Sequence, residues 1–195
     1  MIANIVAGTM LTYMRAFKEG DRIQIGEYMG DVLRTRLQVT HLRTIKNEEI
    51  IVPNAVVISG HILNYSSQAH DVGLILHTTV TIGYDAPWRQ VHALLLMAAE
   101  KTKGLMREPA PFILQRSLDD FYVSYELNVY TDTPRLMLDL YSELHQNIQD
   151  AFNEYSVQIM SPNYMVDRAK PTYVPKERWY AAPANARFGT SGDEG

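Results

Sequence analysis

The sequence predicts an α+β chain: one amphipathic helix, then a small β-barrel domain, then a βαββαβ domain of the ferredoxin-like kind. Three observations carry that prediction. Apolar residues recur at three-to-four spacing through residue 17; short β-rich runs broken by turn residues fill 18–70; from Asp71, long strand patterns alternate with two helical stripes.

The first segment, "MIANIVAGTMLTYMRAF", places Ile2, Ile5, Val6, Met10, Tyr13, Met14 and Phe17 on one stripe, with Arg15 its only charge. An ordinary helix packed on its own domain fits this pattern. So does the end of a membrane or interfacial helix, because Ala3, Ala7 and Gly8 are small residues that let helices approach closely.

In 18–70, "DRIQIG" alternates Ile23 and Ile25 with polar neighbours, and "GDVLRTRLQVTHLRTI" reads as one long strand bent or bulged midway. "KNEE" is a turn and "IIV" a strand. Pro53 ends that strand because proline has no N–H for a ladder and fixes its own φ. Asn54 suits the turn that follows, "AVVIS" can form a helical turn, and Gly60 releases the chain into "HILNYSS".

In 71–162, "VGLILHTTVTIGY" is a strand. Asp85 is an N-cap candidate with Pro87 in the first turn, and Val91, Leu94, Leu95, Ala98 and Ala99 form the stripe of a helix to about Gly104. A hairpin follows, turning at Asp119 and Asp120 with Phe121, Val123, Tyr125, Leu127 and Val129 on one face. A second helix starts near Thr133 and Pro134, with Leu140, Tyr141, Leu144, Ile148 and Phe152 inward, and "VQIM" supplies the last strand. Residues 163–195 form a proline-rich tail, expected to be disordered from Ala181; Tyr173, Trp179 and Tyr180 make it too aromatic for a pure linker.

At 195 residues the chain can build real cores without staples, and it has no cysteine, which removes disulfides and thiolate chemistry. A net charge of −4 gives no global attraction to nucleic acid or anionic lipid. No signal peptide and no apolar run long enough to span a bilayer is visible, so this stretch is expected to cross no membrane itself.

Catalytic signatures are absent: the six histidines show no ligand spacing, and no phosphate-binding glycine loop or nucleophile elbow occurs. Neither enzyme activity nor a cofactor or metal is expected. Asp119 and Asp120 are adjacent and would point to opposite faces of a strand. The basic run with Arg34, Arg36, His41, Arg43 and Lys46 could hold RNA in principle. Between 18 and 70, however, Lys18, Arg22, Arg34, Arg36, Arg43 and Lys46 are balanced by Glu19, Asp21, Glu27, Asp31, Glu48 and Glu49. That favours a solvated strand face, and no nucleic-acid partner is expected.

Residues 4–67 resemble the stretch from the end of the pore-lining helix through the β-domain of the small-conductance mechanosensitive channel (MscS) family. The pieces are Asn4 and Gly8 in "NIVAG"; Arg15, Phe17, Gly20 and Asp21 in "RAFKEGD"; Val52, Pro53 and Asn54 in "VPN"; and Asn64, Tyr65 and Ser66 in "NYS". The βαββαβ pattern extends the likeness by architecture to about residue 162.

The resemblance implies that 1–17 is the end of a pore-lining or interfacial helix, 18–70 a small Sm-like β-barrel and 71–162 the family's α/β domain. It also implies a homo-heptamer forming a hollow cytoplasmic vestibule with side portals beneath a pore in a prokaryotic inner membrane. Tension would open that pore to release ions and small solutes on hypo-osmotic shock. Contact with the membrane would run through upstream segments absent from this sequence.

Gly8 is then expected to pack against an adjacent subunit, and Asn64 to cap or brace the strand end where the domains meet. The sequence departs from the family at Ala16, where proline is usual, so helix exit is assigned to Gly20. The tail is also longer than the family's short axial strand. The rival reading is a soluble Sm-like RNA-binding protein with an appended α/β domain; a third is a stand-alone ligand-binding or regulatory module, its ligand unknown.

Overall fold

The computed structural model describes residues 1–160 and Glu177. The elements are α1 (Ile2–Met14), β1 (Arg22–Ile25), β2 (Tyr28–Thr35), β3 (Val39–Arg43), β4 (Glu49–Pro53), α2 (Asn54–Ser59) and β5 (Ile62–Asn64). They continue with β6 (Leu74–Ile82), α3 (Trp88–Lys101), β7 (Phe112–Leu118), β8 (Val123–Thr131), a 3₁₀ turn (Pro134–Leu136) and α4 (Met137–Glu154). The expectations for the tail lie outside the described residues. Two compact units result. The first holds Met1–Leu76, Gly104–Ala110 and Tyr130–Leu140; the second holds His77–Lys103, Pro111–Val129 and, of the described residues, 141–160.

The first unit is built on a five-stranded antiparallel sheet in the order β4-β3-β2-β1-β5, which leaves β4 and β5 as its two edges. Ile23, Ile25, Val32, Leu42 and Val52 point to one face, and Leu11 from α1 and Val57 from α2 close over them. Phe17, Ile50 and Ile62 pack on the rim of that core. Burial of seven such side chains is the main stabilising term of the unit, at about 1.5–3 kcal/mol each.

Two expectations are corrected here, and of the two readings of α1, that of an ordinary helix packed on its own domain by its large stripe is set aside. "GDVLRTRLQVTHLRTI" is not one strand but the β2–β3 hairpin, with Thr35 opposite Thr40 and the turn closed by Arg36 N–H donating to Val39 O at 2.8 Å. The predicted irregularity does occur, as a register shift between Val32 and Arg34. The large apolar stripe of α1 is not the inward face. Ala7, Gly8 and Leu11 are buried, whereas Ile2, Val6, Met10, Tyr13 and Met14 stand open, Tyr13 at 91% exposure.

Secondly, helix exit is not set by Gly20. Arg15 adopts the left-handed conformation (φ 49°, ψ 40°) and its N–H closes on Leu11 O at 3.1 Å, a left-handed C-terminal cap made without glycine. Gly20 instead takes φ +93° in the following loop, where its N–H meets Val32 O at 2.8 Å.

In the second unit, Val91, Leu94, Leu95, Ala98 and Ala99 of α3 are all buried, as are Val123, Tyr125, Leu127 and Val129 of β8 and Leu144, Ile148 and Phe152 of α4. The sheet order is β6-β8-β7. Phe121 departs from its predicted face, being 69% exposed in the β7–β8 turn. Asp85 does not cap α3. Pro87 occupies that place with extended backbone, since Ala86, preceding a proline, is disfavoured from helical geometry. The predicted last strand is reduced to one antiparallel bridge between Ile82 and Ile159, extended by Met160 N–H donating to Thr81 O. Among the described residues, no helix is long and apolar enough to cross a membrane.

Candidate functional site at the foot of the first helix

The motif residues fall into two polar clusters in the first unit, one along α1 and one just after it. The first is organised by Asn54, whose side chain is fully buried. Its Nδ2 donates to Arg36 O (2.9 Å) and Leu37 O (3.1 Å), its Oδ1 accepts from Thr40 Oγ1 (2.9 Å), and its backbone N–H donates to Gln38 O (2.9 Å). One amide thus holds the β2–β3 turn, which is why that segment folds back instead of running on. Pro53 delivers Asn54 to this position: it ends β4 opposite Val39 with φ −58° and ψ 134°, and α2 starts at the next residue.

Helix α1 lies on this turn. Gly8 permits the approach, because a Cβ there would come within 2.2 Å of Leu37 O and 2.6 Å of Asn54 Nδ2. The close packing attributed to an adjacent subunit is therefore made inside the chain. One turn earlier, Asn4 Oδ1 accepts the N–H of Ala55 at 2.9 Å, so α1 caps the first turn of α2 from outside it. An open groove of about 780 Å³ runs beside the contact, lined by Thr9, Thr12, Tyr13, Arg15, Arg36 and Leu37 among others. The hydroxyls of Thr9 and Thr12 donate back to Ile5 O and Gly8 O.

The second cluster gathers the loop after α1. Asn64 Nδ2 donates to Ala16 O (3.1 Å) and to Asp21 Oδ2 (3.0 Å), while Asn64 Oδ1 accepts from the N–H groups of Ser66 (2.9 Å) and Ser67 (3.0 Å). Asp21 Oδ2 also accepts Lys18 N–H at 3.0 Å, closing the turn in which Gly20 sits. Ser66 Oγ accepts Arg22 N–H (2.9 Å), and Tyr65 donates its hydroxyl to Gln24 Oε1 (2.7 Å). Phe17 anchors the loop on the apolar core. Asn64 thus braces the end of β5 to the chain leaving α1, with every polar atom of its amide engaged.

Four residues of this site were not singled out by the sequence: Arg22, Asp31, Thr40 and Arg135. Arg22 and Asp31 face each other in the β1–β2 register and form a buried two-point ion pair, Nε to Oδ1 at 2.9 Å and Nη2 to Oδ2 at 3.2 Å. Alternation with Ile23 and Ile25 placed Arg22 on the polar, solvent side. What covers it, Pro134 and Arg135, lies more than a hundred residues downstream and leaves no local signal.

The remaining bases of the sheet are also engaged. Arg34 Nη2 lies 2.8 Å from Glu49 Oε1, which His41 Nδ1 also meets at 2.6 Å, and Arg43 approaches Asp31 at 3.7 Å. Within the strands, Arg34, His41 and Arg43 of the basic run are therefore paired with carboxylates instead of forming an open cationic stripe. Among the described residues, no three His, Asp or Glu side chains converge as a metal site. Among the described residues, the only buried side-chain nitrogen or oxygen left without a partner is His92 Nε2, in the second unit. There the ring meets Trp88 and Tyr125 edge-on, and burial lowers its pKa. The site at the foot of α1 is chemically a braced joint: its buried polar groups satisfy one another and none is left to react.

Comparison with known proteins agrees with this geometry. Residues 1–67 match the family model "Mechanosensitive ion channel, beta-domain", and residues 76–159 match "Mechanosensitive ion channel MscS, C-terminal". An uncharacterised MscS family protein of Haemophilus influenzae is 26% identical over 82% of this chain, and the miniconductance mechanosensitive channel MscM of Escherichia coli is 25% identical over 85%. The chain spans only 14% and 15% of the lengths of those two relatives. The crystal structure of Helicobacter pylori MscS in its closed state shares the fold, with a TM-score of 0.70 at 20% identity, covering 86% of this chain and 65% of that one. With both halves of the sequence matched in order, the chain belongs to the MscS family of mechanosensitive ion channels.

Proposed function

We propose that this chain is the vestibule portion of a mechanosensitive channel subunit, on the cytoplasmic side of a prokaryotic inner membrane. It assembles with copies of itself, as a homo-heptamer, and supports a pore that releases ions and small solutes on hypo-osmotic shock. The observation that carries this reading is the two-sided character of α1. Its small face, Asn4, Ala7, Gly8 and Leu11, is fixed to the β-domain, and Ile2, Val6, Met10, Tyr13 and Met14 remain open on the same helix. A contiguous apolar face of that size on an anchored helix is a surface for protein or lipid. A heterologous interface repeated around an axis closes a ring and covers it in every copy.

The test uses the full reading frame containing this chain, expressed in bacteria stripped of their own mechanosensitive channels. Survival of a sudden osmotic downshift, together with an oligomer of about seven subunits by native mass spectrometry, is the expected result. A correctly inserted protein that neither conducts under tension nor protects the cells overturns the proposal. RNA binding that collapses with added salt would support the soluble RNA-binding alternative instead; the internal pairing of Arg22, Arg34 and Arg43 speaks against it.

A further inference from the structure

Two arginines reach past each other at the second cluster. Arg22, in β1 and 5% exposed, donates Nη1 to Pro134 O (3.3 Å) and Arg135 O (2.9 Å), the carbonyls of the 3₁₀ turn that leads into α4. Arg135 returns the contact, donating Nε (3.2 Å) and Nη2 (2.7 Å) to Gly20 O, in the loop that leaves α1. Gly20 allows this twice over. Its φ of +93° suits glycine, and a Cβ there would approach Arg135 Nη2 to 2.9 Å.

Arg22 is not where stability alone would place it. A cation beside the first turn of a helix opposes the helix dipole, and Arg22 sits against the first turn before α4. A buried ion pair such as Arg22–Asp31 usually does no better than well-packed apolar residues of the same volume, because desolvation offsets the Coulomb gain. What the pair does supply is a single geometry. Asp31 takes the Nε–Nη2 edge of the guanidinium and leaves Nη1 aimed at two carbonyls, which fixes the sheet against the 3₁₀ turn.

The clasp is also continuous with the helix exit. Ala16 O, the first carbonyl after the left-handed cap, is held by Asn64; Asn64 holds Asp21; Asp21 follows the Gly20 carbonyl that Arg135 grips.

We propose that Arg22 and Arg135 form a reciprocal arginine clasp that fixes the start of α4 to the backbone leaving α1, so that a displacement of α1 is passed to α4. They are positioning residues. The mechanical consequence rests on the channel reading above; the clasp itself does not.

The test separates the two. Arg22→Met/Asp31→Leu replaces the buried pair by apolar residues without stranding a charge, and Arg135→Ala removes the exposed partner with no burial cost. In the chain itself, hydrogen exchange of the amides at 20–22 and 136–140 should accelerate roughly tenfold in both variants while the melting temperature holds, since one charged hydrogen-bond set is lost. Unchanged exchange in both variants overturns the clasp.

In the full channel under patch clamp, both variants should shift the tension at half-opening while the Lys46→Ala control does not. Faster exchange with an unmoved tension midpoint overturns the transmission step. A wild-type protein with no tension-gated current, alongside the same exchange result, removes the channel reading and leaves the clasp standing.

Discussion

Replacing Gly8 with alanine adds one methyl group at the tightest point of the first unit. Its Cβ would lie 2.2 Å from Leu37 O and 2.6 Å from Asn54 Nδ2, where about 3.4 Å is needed for ordinary contact. Neither neighbour can yield cheaply, since Leu37 O is backbone and Asn54 is fixed by Arg36 O, Leu37 O and Thr40 Oγ1. Either α1 lifts by about an ångström or the Asn54 network opens.

The alanine itself favours the helix by about 1 kcal/mol. Against that stand overpacking of roughly 1–3 kcal/mol and at least one buried polar group left unsatisfied at roughly another 1–3 kcal/mol, for a net loss of about 3 kcal/mol. Equilibrium urea unfolding followed by circular dichroism measures it, and a unit of this size should lose on the order of 10 °C in Tm. Gly60 is the internal control. It has no atom within 4 Å of its would-be Cβ and an ordinary φ of −114°, so Gly60→Ala should be neutral or stabilising by up to ~1 kcal/mol. If Gly8→Ala unfolds at the wild-type midpoint, the close-approach argument is wrong.

Three further outcomes are expected. Asn64→Ala removes two donors and one shared acceptor, leaving Ala16 O and Asp21 a partner short; a loss of about 2–4 kcal/mol is expected, and an unchanged melting curve refutes the brace. Arg15→Val forces a β-branched residue to φ 49° and should cost about 1–2 kcal/mol, read as loss of helical signal and a lower Tm; Arg15→Gly should cost nothing comparable. His92 is held neutral by burial, its pKa below the usual 6.5, so the unfolded chain takes up a proton first as pH falls. Stability is therefore present in full above about pH 6.5 and declines below it, and His92→Leu should flatten the pH dependence below 6.5. Asp150, whose pKa is raised chiefly by burial, acts in the opposite sense, so a fall in stability that persists in His92→Leu would count against this assignment.

The sequence was most legible where one period governed burial. The α3 stripe of Val91, Leu94, Leu95, Ala98 and Ala99 is buried residue for residue, and so is the alternation of Val123 to Val129 in β8. Pro53 marked the strand end, and the helical turn behind it is α2. Legibility failed where a distant group decided the local conformation. The β2–β3 run carries no turn signal such as Asn-Gly at Arg36–Gln38; what bends it is the amide of Asn54, some sixteen residues on. Arg22 looked solvated for the same kind of reason, since its cover comes from Pro134 and Arg135. The short-motif residues gather into two clusters, but most of their partners were not legible: Asn54 holds the β2–β3 turn from a distance, and it is Asn4 that meets the first N–H of α2.

The reversal of α1 shows why hydropathy chooses the amount of buried surface but not its location. Packing Ile2, Val6, Met10, Tyr13 and Met14 inward would bury more apolar area, worth about 1.5–3 kcal/mol for each large side chain, than packing Ala7, Gly8 and Leu11. The fold takes the smaller sum because the surface beneath α1 is not apolar throughout. It presents the bonded pair Leu37 O and Asn54 Nδ2, which leaves room only for a glycine, and the first N–H of α2, at Ala55, which needs an acceptor one turn earlier and finds it in Asn4 Oδ1. A buried polar group left unpaired costs about as much as a large side chain gains, so fit decides against area. The large stripe is then left over by necessity, and on an anchored helix it stands as an uncovered apolar face, the kind of surface that protein or lipid covers.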